Sequence, residues 1–135
     1  MIGLLNRVQP LGLLVLRVVL GIIMAVHGWQ KIHGGMNHHV EMVIHLGMPG
    51  WLAYLSIAAE FFGGLLLIAG YATRIAAFFV LVDMLVALLK VHLHNGLTGQ
   101  GGYQMVLALS AMAFAIIFTG AGAISLDWLI GEKGK

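Results

Sequence analysis

The sequence predicts an all-α integral membrane protein: a four-helix bundle with a short amphipathic interfacial helix between the first and second spans. Three observations carry this. The 135-residue chain is 61% hydrophobic and 9% charged, against about 45–50% and about 25% in soluble domains. Its mean hydropathy is +1.00. Its apolar residues fall into four runs, each near the 17–25 residues or so that cross the hydrocarbon of a bilayer. So little polar surface excludes a disordered tail, a nucleic-acid arm and a typical cytosolic enzyme. Four spans leave no room for a second, soluble domain, so the expectation is one membrane domain over residues 1–135.

The first span is expected at about 11–29. Arg7 precedes it, as in a signal peptide, but the run is too long and has no small-x-small cleavage pattern, so it is expected to be retained. Residues 36–47 are too short and polar to span. Met36, Val40, Val43, Ile44 and Gly47 keep a helical apolar spacing, while His38, Glu41 and His45 share another face. That pattern predicts a helix lying at the interface. Met48-Pro49-Gly50 breaks the chain before the second span, at 51–70. The short connection to the third span, at 75–93, makes those two helices antiparallel neighbours. Asn95 to Gly102 breaks the chain before the fourth span, at 103–119.

Lys and Arg placement sets the orientation. Arg7, Arg74, Lys133 and Lys135 lie by one side and Arg17 near it, with Lys31 and Lys90 toward the other. Both termini are therefore expected in the cytoplasm, in a multi-pass arrangement. The net charge is +2 and no basic cluster exists, so nucleic acid is not an expected partner; the lipid bilayer is. With no cysteine, a thiolate nucleophile, disulfide exchange and a Cys-ligated iron–sulfur cluster on this chain are excluded. The 19 glycines suit close helix packing.

Arg17, Glu60 and Asp83 sit inside apolar runs, where an unpaired charge costs about 2.5–3.5 kcal/mol on insertion scales. Arg17, Gly21, Met24 and Gly28 share one helical face. Ser56, Glu60, Gly63, Gly64 and Leu67 share a second, and Asp83, Ala87, Lys90 and His94 a third. Small residues beside each charge point these faces inward, and the reach of Arg brings the three charges together. Arg17, Glu60, Asp83 and Lys90 are thus the candidate buried polar site. It reads either as an ion-pair network that fixes helix register, or as a proton-relay or ligand site. Two acids and one deep Arg leave one acid either protonated or paired with Lys90 or a His, so a shared proton is expected.

All seven histidines fall toward the outer side: His27, then His33, His38, His39 and His45, then His92 and His94. His27, His92, His94, Tyr103, Gln104 and Trp29 are ligand-binding candidates. A second reading makes His92, His94, His38, Glu41 and His45 a metal set, with Met24, Met36, Met42 and Met48 nearby as soft ligands. On a continuous helix the two rings of His-x-His point about 200° apart, so a shared metal needs the helix to end there, as Asn95-Gly96 suggests. Trp29, Trp51, Tyr54 and Tyr103 read as an aromatic belt or as a stacking wall for a planar ligand such as a quinone. Trp128 and Tyr71 mark the other side.

The order of LRVVLGIIMAVHGWQKI, LGMPGWLAYLSIAAEFFGGLLLIAGYATRIAA, VHLHNG and GGYQMVLALSAMAFA resembles the DoxX family of small four-helix bacterial membrane proteins. The linked elements are Arg17, His27-Gly28 with Lys31, Glu60 with Gly63-Gly64, Thr73-Arg74, and His92 to Gly96. The resemblance runs from about Leu11 to Asp127. It implies a bacterial inner-membrane location and redox roles, since relatives include a membrane subunit of a thiosulfate:quinone oxidoreductase and a membrane anchor in an oxidative-stress complex. The family often carries Glu where this chain has Gln104, and the outer loop here is unusually rich in His.

Three functions are therefore weighed. The first is a redox-linked component that binds quinone at its outer half, with His27, His92, His94 and Tyr103 as hydrogen-bond donors and Lys90, Asp83 and Glu60 leading inward. No cofactor beyond a quinone is indicated, so a soluble or membrane redox partner must deliver electrons. The second is a non-catalytic anchor or assembly partner. The third is a transporter of a small solute, protons or a metal, for which four spans call for a homo-oligomer.

Overall fold

The computed structural model describes residues 1–132 and contains only helices and turns among them. Lys133 and Lys135, which the sequence offers as topology markers, lie outside the described residues. The helices are α1 (Ile2–Arg7), α2 (Gln9–Gln30), α3 (Met36–His45), α4 (Trp51–Ala69), α5 (Thr73–Ala87) and α6 (Gln104–Thr119). The protein is an all-α membrane bundle built from α2, α4, α5 and α6. Among the described residues, three stretches are long and apolar enough to cross a membrane: Gln9–His45, Trp51–Ala69 and Thr73–Asn95. At about 1.5 Å per residue, the 16 residues of α6 cover less than the roughly 30 Å of hydrocarbon. Large apolar side chains such as Phe62, Phe78, Phe79, Phe114 and Phe118 face outward, toward lipid.

The segment expected to be a loop after the first span is helical instead. Lys31–Gly35 continues α2 as a π turn that runs into α3. No proline interrupts it, and no residue there takes a positive φ before Gly47, so nothing stops the helix. Gly34-Gly35 lets it widen. The third span likewise prolongs into a π turn at Leu88–His92 and a 3₁₀ turn at Leu93–Asn95.

The α2–α4 contact is made by backbone. A Cβ on Gly64 would lie 2.5 Å from Ala25 N and 2.6 Å from Gly21 O, and one on Gly28 would lie 2.7 Å from Phe61 N. Small residues at 21, 25 and 28 therefore let α4 lie directly on α2. The core continues through Leu20, Met24 and Leu67 to Ala77, Val80, Ala113 and Ile116.

The end of the bundle where α2 starts and α4 finishes is tied by polar contacts. Gly70 ends α4 in the left-handed region at φ 74°, the usual role of glycine at a helix C-terminus. Both Asp127 oxygens then accept from the start of α5, from Ala72 N at 2.7 Å and Thr73 N at 2.9 Å. Asp127 N donates to Gly70 O at 2.8 Å. At the opposite end, the loop before α6 closes on itself: Tyr103 N donates to Gly96 O at 3.1 Å and Gln104 N to Leu97 O at 3.1 Å.

Candidate functional site

A chain of four polar side chains crosses the bundle between α2, α4 and α5. Lys31, the first residue of the π turn, donates to both oxygens of Glu60, at 2.9 Å and 2.7 Å. Glu60 is buried at 2% exposure. One turn back on α4, Ser56 Oγ lies 3.2 Å from Glu60 Oε2 and also meets Asp83 Oδ1 of α5. A hydroxyl has one proton to give. Both contacts are therefore hydrogen bonds only when one carboxyl carries its own proton. Lys31 neutralises Glu60, which leaves Asp83 as the carrier: it donates to Ser56, and Ser56 donates to Glu60. In that state the chain holds no net charge, which suits its depth.

Arg17 and Lys90 stand apart from this chain. Arg17 is buried at 2% exposure near the terminal end, about 21 Å along the α2 axis from Lys31 at 1.5 Å per residue. Its Nε donates to Leu67 O at 2.7 Å and its Nη1 to Ala121 O at 2.7 Å. A cation there satisfies the Leu67 carbonyl in the last turn of α4, where the helix dipole favours positive charge, and through Ala121 O pins the tail after α6 to α4. Lys90 is exposed. The cation that meets Glu60 is Lys31. One signal could have found it: continuing the Arg17–Gly21–Met24–Gly28 face by three more residues lands on position 31, provided the helix does not stop at Trp29.

Five of the seven histidines lie in two places, His92 and His94 in one and His27, His38 and His39 in the other. His92 is half-buried and its Nδ1 donates to Gly101 O at 2.7 Å, a carbonyl shared with Asn95 Nδ2 at 3.0 Å; this staples the loop before α6. His94 is exposed, Tyr103 half-buried, and Gln104 exposed in the first turn of α6. The other place is a cleft of about 370 Å³ at the loop end of α2, lined by His27, Gln30, Lys31, His38, His39 and Met42 among others. The cleft thus opens onto the lysine that begins the buried chain. Trp29 is 52% exposed and its ring stands 4.0 Å from the His33 ring by centroids, tilted by 48°.

His39, absent from the candidates drawn from sequence, is 8% exposed and its Nε2 is buried without a hydrogen-bond partner. Burial first, and the charge of Lys31 second, push its pKa below the ordinary value, with Glu60 opposing and His38 adding to the shift. The ring is therefore held toward its neutral form. His38, Glu41 and His45 are all exposed. Among the described residues, no three His, Asp or Glu side chains converge in a way that could hold a metal ion.

A small helical membrane bundle with an ionisable chain in its interior and a cleft at one end defines the class of this protein. The comparisons agree with that class and narrow it. The DoxX family model matches residues 12–93, and the chain belongs to the DoxX family. It is 33% identical over 130 residues to the Putative oxidoreductase CatD of Bacillus subtilis, covering 96% of this chain and 94% of that protein. It is 31% identical over 132 residues to the Inner membrane protein YqjF of Escherichia coli, covering 95% and 98%. An Uncharacterized protein of Haemophilus influenzae is 30% identical over 132 residues, covering 91% and 93%. No solved structure matches.

Proposed function

We propose that this chain is a redox-linked component of the bacterial inner membrane, with both termini in the cytoplasm and a quinone bound at its opposite end. The single observation that carries the reading is the continuity of the cleft with the buried chain: Lys31 lines the cleft and also binds Glu60, which leads through Ser56 to Asp83. Interconverting a quinone and a quinol moves two electrons and two protons. A linked series of ammonium, carboxylate, hydroxyl and carboxyl gives protons a path from the ring site toward the middle of the membrane. The electrons are exchanged with a soluble or membrane redox protein that docks on this one. The relative named Putative oxidoreductase supports the redox assignment, and the relative named Inner membrane protein supports the location.

The test is equilibrium binding of a short-chain quinone to the purified protein in lipid nanodiscs. A saturable isotherm is expected, weakened at least tenfold when Lys31→Met and Glu60→Gln are combined to remove the ion pair without leaving a charge behind. Uptake that rises linearly at all concentrations, no different from protein-free nanodiscs, refutes the proposal.

A further inference from the structure

We propose that α1 is an interfacial anchor. It lies flat on the leaflet at the end of the bundle where α2 starts, with Ile2, Leu4, Leu5 and Val8 at the acyl boundary and Arg7 against acidic phospholipid headgroups. The quinone reading plays no part in this. At about 100° per residue, Ile2, Leu4 and Leu5 share one face of the helix, and Gly3, Asn6 and Arg7 share the other. The bundle leaves the apolar face uncovered. Ile2 is 75% exposed, Leu4 64% and Leu5 57%, and no residue of α1 is buried.

Depth, continuity and charge identify what covers that face. Arg17 donates to Leu67 O in the last turn of α4, which ends at Ala69. From Arg17 back to Gln9, the start of α2, is about 12 Å at 1.5 Å per residue. α1 therefore sits past the end of α4, in the band where headgroups meet acyl chains. The tail after α6 packs on Leu13, which a Cβ on Gly122 would meet at 3.2 Å; Leu11 stays 55% exposed. The exposed positions Leu4, Val8, Leu11, Val15 and Val19 recur at helical spacing, so α1 prolongs the lipid-facing stripe of α2. The joint between them is a break. Val8 leaves helical geometry at φ −98° and ψ 6°, and Pro10 has no N–H to bond back across it. α1 can thus turn off the α2 axis into the membrane plane. No Asp or Glu precedes Glu41. Among the described side chains at that end, Arg7 and Arg74 are exposed cations, while the acid Asp127 spends both oxygens on the start of α5. Exposed cations beside an apolar helix face match an anionic lipid surface.

The chain has no cysteine, so a nitroxide can be attached at one position at a time in the full protein. The carriers are Leu4→Cys and Leu5→Cys on the apolar face, and Gly3→Cys and Asn6→Cys on the polar face. Each is reconstituted in vesicles of phosphatidylglycerol mixed with phosphatidylcholine, and in phosphatidylcholine alone. In the mixed vesicles, labels at 4 and 5 are expected to be relaxed by oxygen, which concentrates among acyl chains. Labels at 3 and 6 are expected to be relaxed by a water-soluble nickel chelate. Adding Arg7→Gln is expected to lower the ratio of docked to free label at position 4 about fivefold in the mixed vesicles, the equivalent of about 1 kcal/mol for one Arg at an anionic surface. In phosphatidylcholine alone it is expected to change nothing. Equal nickel access at all four positions places α1 in water and overturns the proposal. Spin–spin broadening at position 4 that disappears on dilution with unlabelled protein places a second copy on the apolar face and also overturns it. An Arg7→Gln effect of the same size in both vesicle types overturns the assignment of acidic headgroups. The four labelled positions lie outside the bundle core, so the labels do not disturb its packing.

Discussion

Replacing Lys31 by Met tests the buried chain at the residue on which it depends. Methionine keeps the length and the apolar stem of lysine, so packing around the π turn changes little. What changes is the partner of Glu60. That carboxylate is 2% exposed and loses two charge-assisted bonds at 2.7 Å and 2.9 Å, keeping only Ser56. Removing one member of a buried ion pair costs about 3–5 kcal/mol. The side chain of Lys31 retains 30% exposure, so the pair is partly hydrated and the lower end, about 3 kcal/mol, applies. Adding Glu60→Gln removes the stranded charge, and most of that loss is expected to return. The assay is unfolding in detergent followed by tryptophan fluorescence, read as a double-mutant cycle. The single variant is expected to melt roughly 10 °C lower and the double variant to regain more than half. A coupling energy within about 0.5 kcal/mol of zero refutes the pairing.

Other consequences follow from the same geometry. Gly64→Ala forces a methyl against Ala25 N and Gly21 O, at 2.5 Å and 2.6 Å; a loss of about 1–3 kcal/mol or more is expected, and an unchanged melting temperature would show that the α2–α4 backbones do not touch. Asp127→Ala strips both acceptors from the α5 N-terminus and is expected to cost about 1–2 kcal/mol, with Asp127→Asn recovering part of it, measured in the same unfolding assay. His39 has a lowered pKa, so the folded state binds fewer protons there than the unfolded one. Its contribution is fully present above the unfolded value of about 6.5, declines as pH falls through the lowered folded value, and levels off below it. That pH dependence, measured by thermal unfolding, is expected to shrink in His39→Leu while Lys31, Glu60 and His38 remain around the site.

The long apolar helices were legible because hydrocarbon demands long apolar runs and turns demand Pro, Gly or Asn. Glu60 and Asp83 were legible because a charge in such a run has few innocent explanations, and both lie in the chain that Ser56 joins. The rest depended on tertiary detail. The first span is expected to end at about residue 29, yet without a positive φ at Gly34-Gly35 the helix widens and continues, and this carries Lys31 to Glu60. Arg17 looked like a partner for acids because sequence does not display spare carbonyls; the end of α4 and the tail near Ala121 supply them. His38 and His39 are neighbours in sequence, but adjacent helical positions differ by about 100°, and only His39 turns into the packing.

On the proposed function, the chain from Lys31 to Asp83 holds a movable proton and answers to a ligand in the cleft. Infrared difference spectroscopy of the protein in lipid, with and without a short-chain quinol at neutral pH, reads this directly. A protonated carboxyl C=O band is expected in the native protein, shifted by the quinol and absent in Asp83→Asn. A spectrum with no such band, or one whose band ignores the ligand, contradicts the claim.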